Sequence, residues 1–336
     1  MKEELMLNVA TIGTNFIVDW FLKSVQDNQG IRCCAMYTRK KEHAEKLAEK
    51  YHIEMIYTDL DEMLSNPEID IIYIASPNSL HYTYAEKALT AGKHVFCEKP
   101  LVSDNEQCAK LYELAEKKQR FLFEAIVTLH APNYHLIREY LLKLGDIKLI
   151  QSNFSQYSSR YDAYLRGENP NVFSPEFSGG ALADIGIYCL HFIVGLFGLP
   201  KQCAYYPNLG PNGIDTSGSG ILCYGDYTAS FSCAKDSEST CITQIQGTKG
   251  AITLYSQPSK CSRFTFHDRC SKETSEPSIE QEDNVLYYEV KEFVRIINEN
   301  DLSAYRALSQ ESKDVMQVYE TLRKGAHIHF SDDENK

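Results

Sequence analysis

The sequence predicts an α/β part followed by an α+β part: an N-terminal doubly wound parallel sheet and a C-terminal open, mostly antiparallel sheet. Three observations carry this prediction. The first third of the chain alternates short apolar runs with amphipathic stretches, the mark of parallel strands joined by crossover helices. From about Leu149 to Phe266 the character changes to alternating aromatic, Ser and Thr segments such as Tyr227-Thr228-Ala229-Ser230-Phe231-Ser232-Cys233, the pattern of strands with one wet face. A length of 336 residues also exceeds what one ordinary core holds. The expected domains are residues 1–124 and 125–330.

In chain order, strands are predicted at Leu5 to Ile12, Ile31 to Tyr37, Glu54 to Ile56, Ile69 to Ala75, His94 to Glu98 and Phe121 to Glu124, with a helix from Tyr82 to Thr90. Ser103-Asp104-Asn105-Glu106 reads as a capping box, Ser103 being the N-cap and Glu106 reaching back. Cys108, Leu111, Leu114 and Ala115 supply the apolar stripe of the helix that follows, and Lys110, Glu113 and Lys117 its wet face. In the second part a helix spans Gly180 to Phe197, Asn208 to Gly220 reads as a turn or long loop, and Lys272 to Asp283 as a mobile acidic surface loop. Helical spacing returns over Asn284 to Asn300 and Ser309 to Lys324.

A net charge of -12 with no basic run argues against a nucleic-acid partner and gives no support to binding an anionic membrane. The eleven cysteines show no CxxC spacing and several fall in apolar patterns, so reduced thiols in a cytoplasmic protein are expected. Met1 to Leu7 carries charges and no long apolar stretch, which predicts neither a targeting signal nor a membrane span. Ten histidines include His327-Ile328-His329, but no third ligand accompanies that pair and no metal is assigned. Neither a Ser-His-Asp type of constellation nor a P-loop is present.

The chemistry-bearing residues lie at predicted strand ends. Val95 to Cys97 ends in Glu98-Lys99-Pro100, and charges at the carboxyl end of a buried parallel strand lie where open α/β sheets bind ligands. A buried lysine either pairs or works. The plain alternative is a polar strand end. The preceding strand breaks at Ser76-Pro77-Asn78, so two successive strand ends aim loops at one rim. After the first strand comes Ile12-Gly13-Thr14-Asn15-Phe16-Ile17-Val18, where a dinucleotide fingerprint would read GxGxxG. Gly13 keeps the first glycine, Asn15 replaces the second with the side chain that best tolerates positive φ, and the helix near Phe16 offers its N-terminus to a pyrophosphate. A tight strand-to-helix turn without a ligand would read the same. The second strand ends in Tyr37-Thr38-Arg39-Lys40-Lys41, with no carboxylate until Glu42. A hydroxyl followed by arginine suits a 2′-phosphate, favouring NADP(H) over NAD(H), against the alternative of a solvated basic helix start.

Pro77-Asn78 with His81, then Ala91-Gly92-Lys93-His94-Val95 and Glu98-Lys99-Pro100, resemble the signature of the Gfo/Idh/MocA family of nicotinamide-dependent sugar and polyol oxidoreductases. Downstream, Gly179-Gly180-Ala181-Leu182-Ala183-Asp184-Ile185-Gly186-Ile187-Tyr188 resembles the family's second motif in its tyrosine variant, as in the dihydrodiol dehydrogenase and glucose-fructose oxidoreductase-like branch. The similarity runs over essentially the whole chain, including the ending Leu322 to Ile328.

The resemblance implies a Rossmann domain holding the cofactor through Gly13, Thr14, Asn15, Phe16, Ile17, Thr38, Arg39, Ser76, Pro77, Asn78, His81, Glu98 and Lys99. It also implies a second domain for substrate and oligomerisation, as homodimer or homotetramer through its sheet, with terminal helices packing back on the first domain. Hydride transfer between nicotinamide C4 and a carbonyl or hydroxyl carbon needs a proton donor or acceptor, and the family places histidine or tyrosine where this chain has Tyr188. A free tyrosine has a pKa of about 10, and an ammonium such as Lys99 would lower it or polarise the substrate oxygen. Asp184 shares a helix face with Tyr188 and would hold a substrate hydroxyl or orient Lys99, with His191 three beyond as a further contact. Glu98 would anchor Lys99 or the cofactor ribose. Arg160 and Tyr161 suit a polyhydroxylated ligand, as well as plain sheet packing. The implied activity is an NAD(P)-dependent oxidoreductase acting on a sugar, polyol or dihydrodiol. A catalytically silent cofactor-binding regulator and a redox-assisted glycoside hydrolase are the alternatives, and the intact Lys99, Asp184 and Tyr188 argue against the first of these.

Overall fold

A computed structural model describes residues 6–335, so Leu5 of the first predicted strand lies outside the described residues. The chain divides into two compact units, Met1–Ala125 with Glu282–Gln310, and Ile126–Gln281 with Glu311–Lys336.

The first unit is built on six parallel strands: β1 Leu7–Ile12, β2 Ile31–Tyr37, β3 Met55–Tyr57, β4 Ile71–Ile74, β5 His94–Glu98 and β6 Leu122–Ala125. Their order is β3-β2-β1-β4-β5-β6. The chain therefore winds one way from β1 to β3 and the other way from β4 to β6, which places the ligand crevice beyond the carboxyl ends of β1 and β4. Every residue of β4 is buried, as a strand covered on both faces requires. The helix Leu286–Glu299 covers one face, its Phe293 stacking on Phe123 at 4.3 Å and tilting against Phe96 at 5.0 Å. At the helix Asn105–Lys118 the N-cap is Asp104, whose carboxylate accepts from Gln107 N at 2.9 Å, and not Ser103 as the capping-box pattern predicted. An ionised acceptor one residue further on answers both the open amides and the positive end of the helix dipole.

The second unit carries eight strands: β7 Ile147–Ser155, β8 Gln202–Leu209, β9 Asp215–Cys223, β10 Thr228–Ala234, β11 Thr243–Gly247, β12 Gly250–Leu254, β13 Phe264–Asp268 and β14 Thr274–Ser275. They lie in the order β14-β13-β12-β11-β7-β10-β9-β8, antiparallel except for the central β7–β10 pair. Ile150, Phe154, Leu222, Phe231, Ile245 and Ile252 point into the core, while Gln151, Tyr206, Ser219 and Ile221 face outward. The stretch Pro175–Phe197 is long and apolar enough to cross a membrane, but 72% of its apolar window is buried inside the protein, the pattern of a core helix.

Two loop expectations change. Asn208 to Gly220 is mostly strand, with only residues 210–214 turning between β8 and β9. Gly218 and Gly220 are strand glycines because the Tyr205 and Phe231 rings lie where their side chains would stand. The acidic stretch Lys272 to Asp283 is tied down: Asn133 accepts from Ile279 N at 2.8 Å and donates to Ile279 O at 2.9 Å, and Gln281 donates to Lys260 O at 3.0 Å. The last helix, Leu302–Gly325, begins earlier than the Ser309 predicted. His327 and His329 follow it in irregular backbone, and the described residues include no group of three His, Cys, Asp or Glu able to hold a metal.

Candidate functional site

At the carboxyl edge of the parallel sheet, β1 gives way to Gly13 at φ +114°, where an added Cβ would stand 2.6 Å from the Ala75 carbonyl oxygen. Only glycine lets the ends of β1 and β4 approach this closely. Asn15 does not adopt the positive φ its position implied. It is extended at φ -80° and ψ -178°, caps the helix Phe16–Asp27 by accepting from Val18 N at 3.3 Å, and donates to Ala75 O at 3.3 Å. The amides of Phe16 and Ile17 precede the capped one, so they belong to the first-turn donors without an intrahelical acceptor. A glycine cradle, a capped helix start and the sheet's switch point together fit a dinucleotide pyrophosphate. Thr14 is half-buried and the Phe16 ring is 76% exposed.

At the end of β2, Thr38 is buried with its amide on Tyr57 O at 3.1 Å, and Arg39 is exposed near Tyr84. At the end of β4, Ser76, Pro77 and Asn78 lead into the helix His81–Thr90, which includes the His81 that the sequence pattern placed before it. The His81 ring is buried, with Nδ1 2.9 Å from Pro100 O and Nε2 3.0 Å from Ser76 O. It therefore ties the β4 and β5 rim loops together from behind, and burial holds its pKa below the ordinary value. At the end of β5, Glu98 accepts from Tyr73 Oη at 2.6 Å, the Tyr73 ring stacks on Phe21 at 3.7 Å, and the Lys99–Pro100 bond is cis.

Behind this rim stands Glu289, which sequence reading passed over as one acid on a helix. It lies one turn before Phe293, as Glu98 lies two residues beyond Phe96 on the same strand face, and it is 2% exposed. Burial, and secondarily the charge of Glu98, push its carboxyl well above the usual range. A carboxyl raised in the folded state stays protonated there, while in the unfolded chain it ionises at about pH 4.3. Stability from this group is thus present at low pH and lost as pH rises toward the folded pKa. Glu289→Gln is expected to raise the thermal midpoint by several degrees at pH 8 and to change it little at pH 3, as measured by calorimetry.

In the second unit the chain turns at Gly179-Gly180 into a π-helical segment, Leu182–Gly186, that continues as the helix Ile187–Phe197. Asp215, from β9, receives this start: its carboxylate accepts from Leu182 N at 2.7 Å and from Tyr205 Oη at 2.8 Å. Burial raises its pKa to about 6 against those donors. Asp184 forms an ion pair with Lys235, just beyond β10, and Lys235 Nζ stands 5.8 Å from the centre of the Phe173 ring. Tyr188, one turn after Asp184, is half-buried with its ring 5.7 Å from Phe154. His191 is fully buried, its Nδ1 3.6 Å from the Glu311 carboxylate. Tyr161 packs edge-on against Tyr157 at 5.6 Å and tilts on Phe173 at 5.6 Å, and Arg160 is exposed.

Each unit thus brings together one part of the expected set. The first gathers Gly13 to Ile17, Thr38, Arg39, Ser76 to Asn78, Glu98 and Lys99 at successive strand ends, and the second gathers Asp184, Tyr188 and the unforeseen Lys235.

Comparison with known proteins matches both parts of the chain to one family. Residues 7–126 match the Gfo/Idh/MocA oxidoreductase family domain with its NAD-binding Rossmann fold, and residues 141–253 match a Gfo/Idh/MocA C-terminal domain. The chain is 37% identical over 297 residues to the uncharacterized oxidoreductase YgjR of Escherichia coli (strain K12), covering 88% of this chain and 89% of that protein. It is 34% identical over 331 residues to scyllo-inositol 2-dehydrogenase (NADP(+)) IolU of Bacillus subtilis (strain 168), covering 98% of this chain and 100% of that protein. Among solved structures, KijD10, a 3-ketoreductase from Actinomadura kijaniata in complex with NADP and TDP-benzene, shares the fold with a TM-score of 0.83 at 20% identity, over 95% of this chain and 97% of that one. With both domain matches and near full-length relatives above 30% identity, the chain belongs to the Gfo/Idh/MocA family and is an NAD(P)-dependent oxidoreductase acting on CH–OH groups.

Proposed function

We propose that the protein interconverts a secondary alcohol and a ketone on a cyclic polyol or sugar, with NADP(H) as the preferred cofactor and NAD(H) as the weaker one. The observation that carries the substrate class is the second unit's wall, where an acid–ammonium pair, Asp184 with Lys235, adjoins the Phe173 and Tyr161 rings. Hydroxyls need donors and acceptors, and the C–H faces of a sugar ring need apolar surface. The near full-length relative named for scyllo-inositol and NADP(+) supports the same class.

A nicotinamide cofactor bound along the rim of Gly13 to Ile17, Thr38, Arg39, Ser76 to Asn78, Glu98 and Lys99 supplies the hydride acceptor in oxidation and the donor in reduction. Tyr188 Oη takes the hydroxyl proton in oxidation and returns it in reduction. The Lys99 ammonium favours the charged phenolate and the developing charge on the substrate oxygen. Asp184 accepts a neighbouring hydroxyl and so orients the ring. His81 acts from behind, fixing the two rim loops to one another. The division of labour follows residues 1–124 for cofactor and 125–330 for substrate, apart from Glu282–Gln310, which fold with the first unit, and the sheet's uncharged outward face, with Gln151, Ser219, Tyr206 and Ile221, is where a second copy would dock to form a homodimer or homotetramer.

The cofactor preference rests on Arg39, exposed at the end of β2 where an NAD site would offer a carboxylate. Arg39→Ala is expected to raise KM for NADP+ about 10-fold or more, the scale of one lost charge-assisted phosphate contact, while KM for NAD+ stays within about 2-fold. Equal effects on both cofactors would remove Arg39 from 2′-phosphate recognition. Product formation without net change in nicotinamide absorbance would instead identify redox-assisted glycoside hydrolysis.

A further inference from the structure

Lys235 is the buried ammonium that no sequence motif announced. Its side chain keeps 8% of its exposure, whereas its partner Asp184 keeps 30%. A cation this deep is stable only when paired and held. Both conditions are met. The Lys235 amide donates to Thr216 O at 2.8 Å, and its carbonyl accepts from Ser158 N at 2.9 Å. The next residue, Asp236, accepts from Thr216 Oγ1 at 2.7 Å and Ser217 Oγ at 2.8 Å, locking the end of β10 against β9. Ser158 in turn opens the short helix Tyr161–Leu165, its carbonyl accepting from Tyr161 N at 2.9 Å. One residue therefore joins the β9–β10 ladder, the Asp184 carboxylate and the aromatic segment around Tyr161.

Building on the polyol reading above, we propose that Lys235 is a positioning residue: it clamps the Asp184 carboxylate from the buried side and presents its exposed edge to substrate hydroxyls, in a wall whose carboxylate selects uncharged polyols over sugar acids. The charge logic is direct. Ammonium and carboxylate offset one another within the pair, and the exposed edge of the carboxylate keeps its hydrogen-bonding capacity. An anionic substrate would meet the exposed carboxylate first, because the ammonium lies behind it, and like charges at contact distance repel. A neutral diol meets an oriented acceptor whose rotamer is already fixed, and so loses less entropy on binding.

The test compares wild type with Lys235→Met, Lys235→Arg, Asp184→Asn and the Asp184→Asn/Lys235→Met double variant, using NADP+ with scyllo-inositol as neutral polyol and glucuronate as its acidic counterpart. Lys235→Met is expected to raise KM for scyllo-inositol about 10-fold and to widen the preference over glucuronate, because the Asp184 carboxylate then lacks its offsetting ammonium, with KM for NADP+ within about 2-fold. Lys235→Arg should restore most of the loss. The double variant should be no worse than Asp184→Asn alone, because Lys235 acts through Asp184. Additive losses, or an unchanged KM and preference in Lys235→Met, would overturn the positioning role while leaving the functional reading intact. Absence of polyol turnover in wild type would overturn both. If Lys235→Met folds poorly, Lys235→Arg and the double variant, each retaining a matched or neutral pair, still decide the question.

Discussion

Replacing Tyr188 with phenylalanine is expected to lower kcat for the polyol about 10²- to 10⁴-fold, the usual contribution of a positioned proton-transfer group. The substitution removes one oxygen. The ring contact with Phe154 at 5.7 Å and the helix Ile187–Phe197 are untouched by it. KM for NADP+ should stay within about 2-fold, because the residues proposed to hold the cofactor all come from the first unit's strand ends. Rapid-mixing and steady-state rates on the purified variant separate the two effects. A fall in kcat below about 3-fold would remove Tyr188 from the proton path, since no general acid or base of that modest worth is expected at a hydride-transfer centre.

The second large effect is structural. Gly180 has φ +115° and its missing Cβ position is occupied by Asp215 Oδ1. Gly180→Ala must therefore strain the backbone and displace the carboxylate that accepts from Leu182 N and Tyr205 Oη. Strain at a positive-φ site costs on the order of 1–3 kcal/mol. Donors left unmatched in a buried site add about 1–3 kcal/mol more. The sum is a large share of the roughly 5–15 kcal/mol that stabilises a domain. The expected result is a calorimetric midpoint lowered by about 5 °C or more, at about 2–4 °C per kcal/mol for a unit of this size. Activity should fall further than stability alone explains at a temperature where the variant is still folded, because the displaced turn leads directly into Asp184 and Tyr188. Ser or Ala at this position without loss of stability would show that the Asp215 cap is dispensable.

Particular residues show why some of this was legible in the sequence. Ile71-Ile72-Tyr73-Ile74 and Val95-Phe96-Cys97 are short continuous apolar runs, and such runs between helices have few alternatives to buried parallel strands. Residues at their ends inherit their position from the strands, so Gly13, Thr38, Arg39, Asn78 and Lys99 fell at the rim by geometry. Asp184 and Tyr188 were legible for the same kind of reason, since four residues make one helical turn. What escaped were partners distant in the chain. Lys235 reaches Asp184 across 51 residues and Asp215 reaches Leu182 across 33, and no local periodicity encodes such pairs. Asp215 was further hidden by the glycines around it, which read as turn signals until the Tyr205 and Phe231 rings over Gly218 and Gly220 account for them. Asn15 shows a subtler limit: the residue type was right for the position, but a side-chain cap, rather than positive φ, is the reason. His191, placed by spacing on the Tyr188 face, is fully buried beside Glu311, because a helix that is apolar nearly all round turns several faces to the core.

The most direct test of the central claim is the nicotinamide absorbance on mixing wild-type protein with NADP+ and scyllo-inositol. The expected result is continuous NADPH formation matched mole for mole by a ketone product, faster with NADP+ than with NAD+ and nearly abolished in Tyr188→Phe. Tight NADP+ binding with no NADPH formed from scyllo-inositol or any other polyol or sugar in a panel would contradict it.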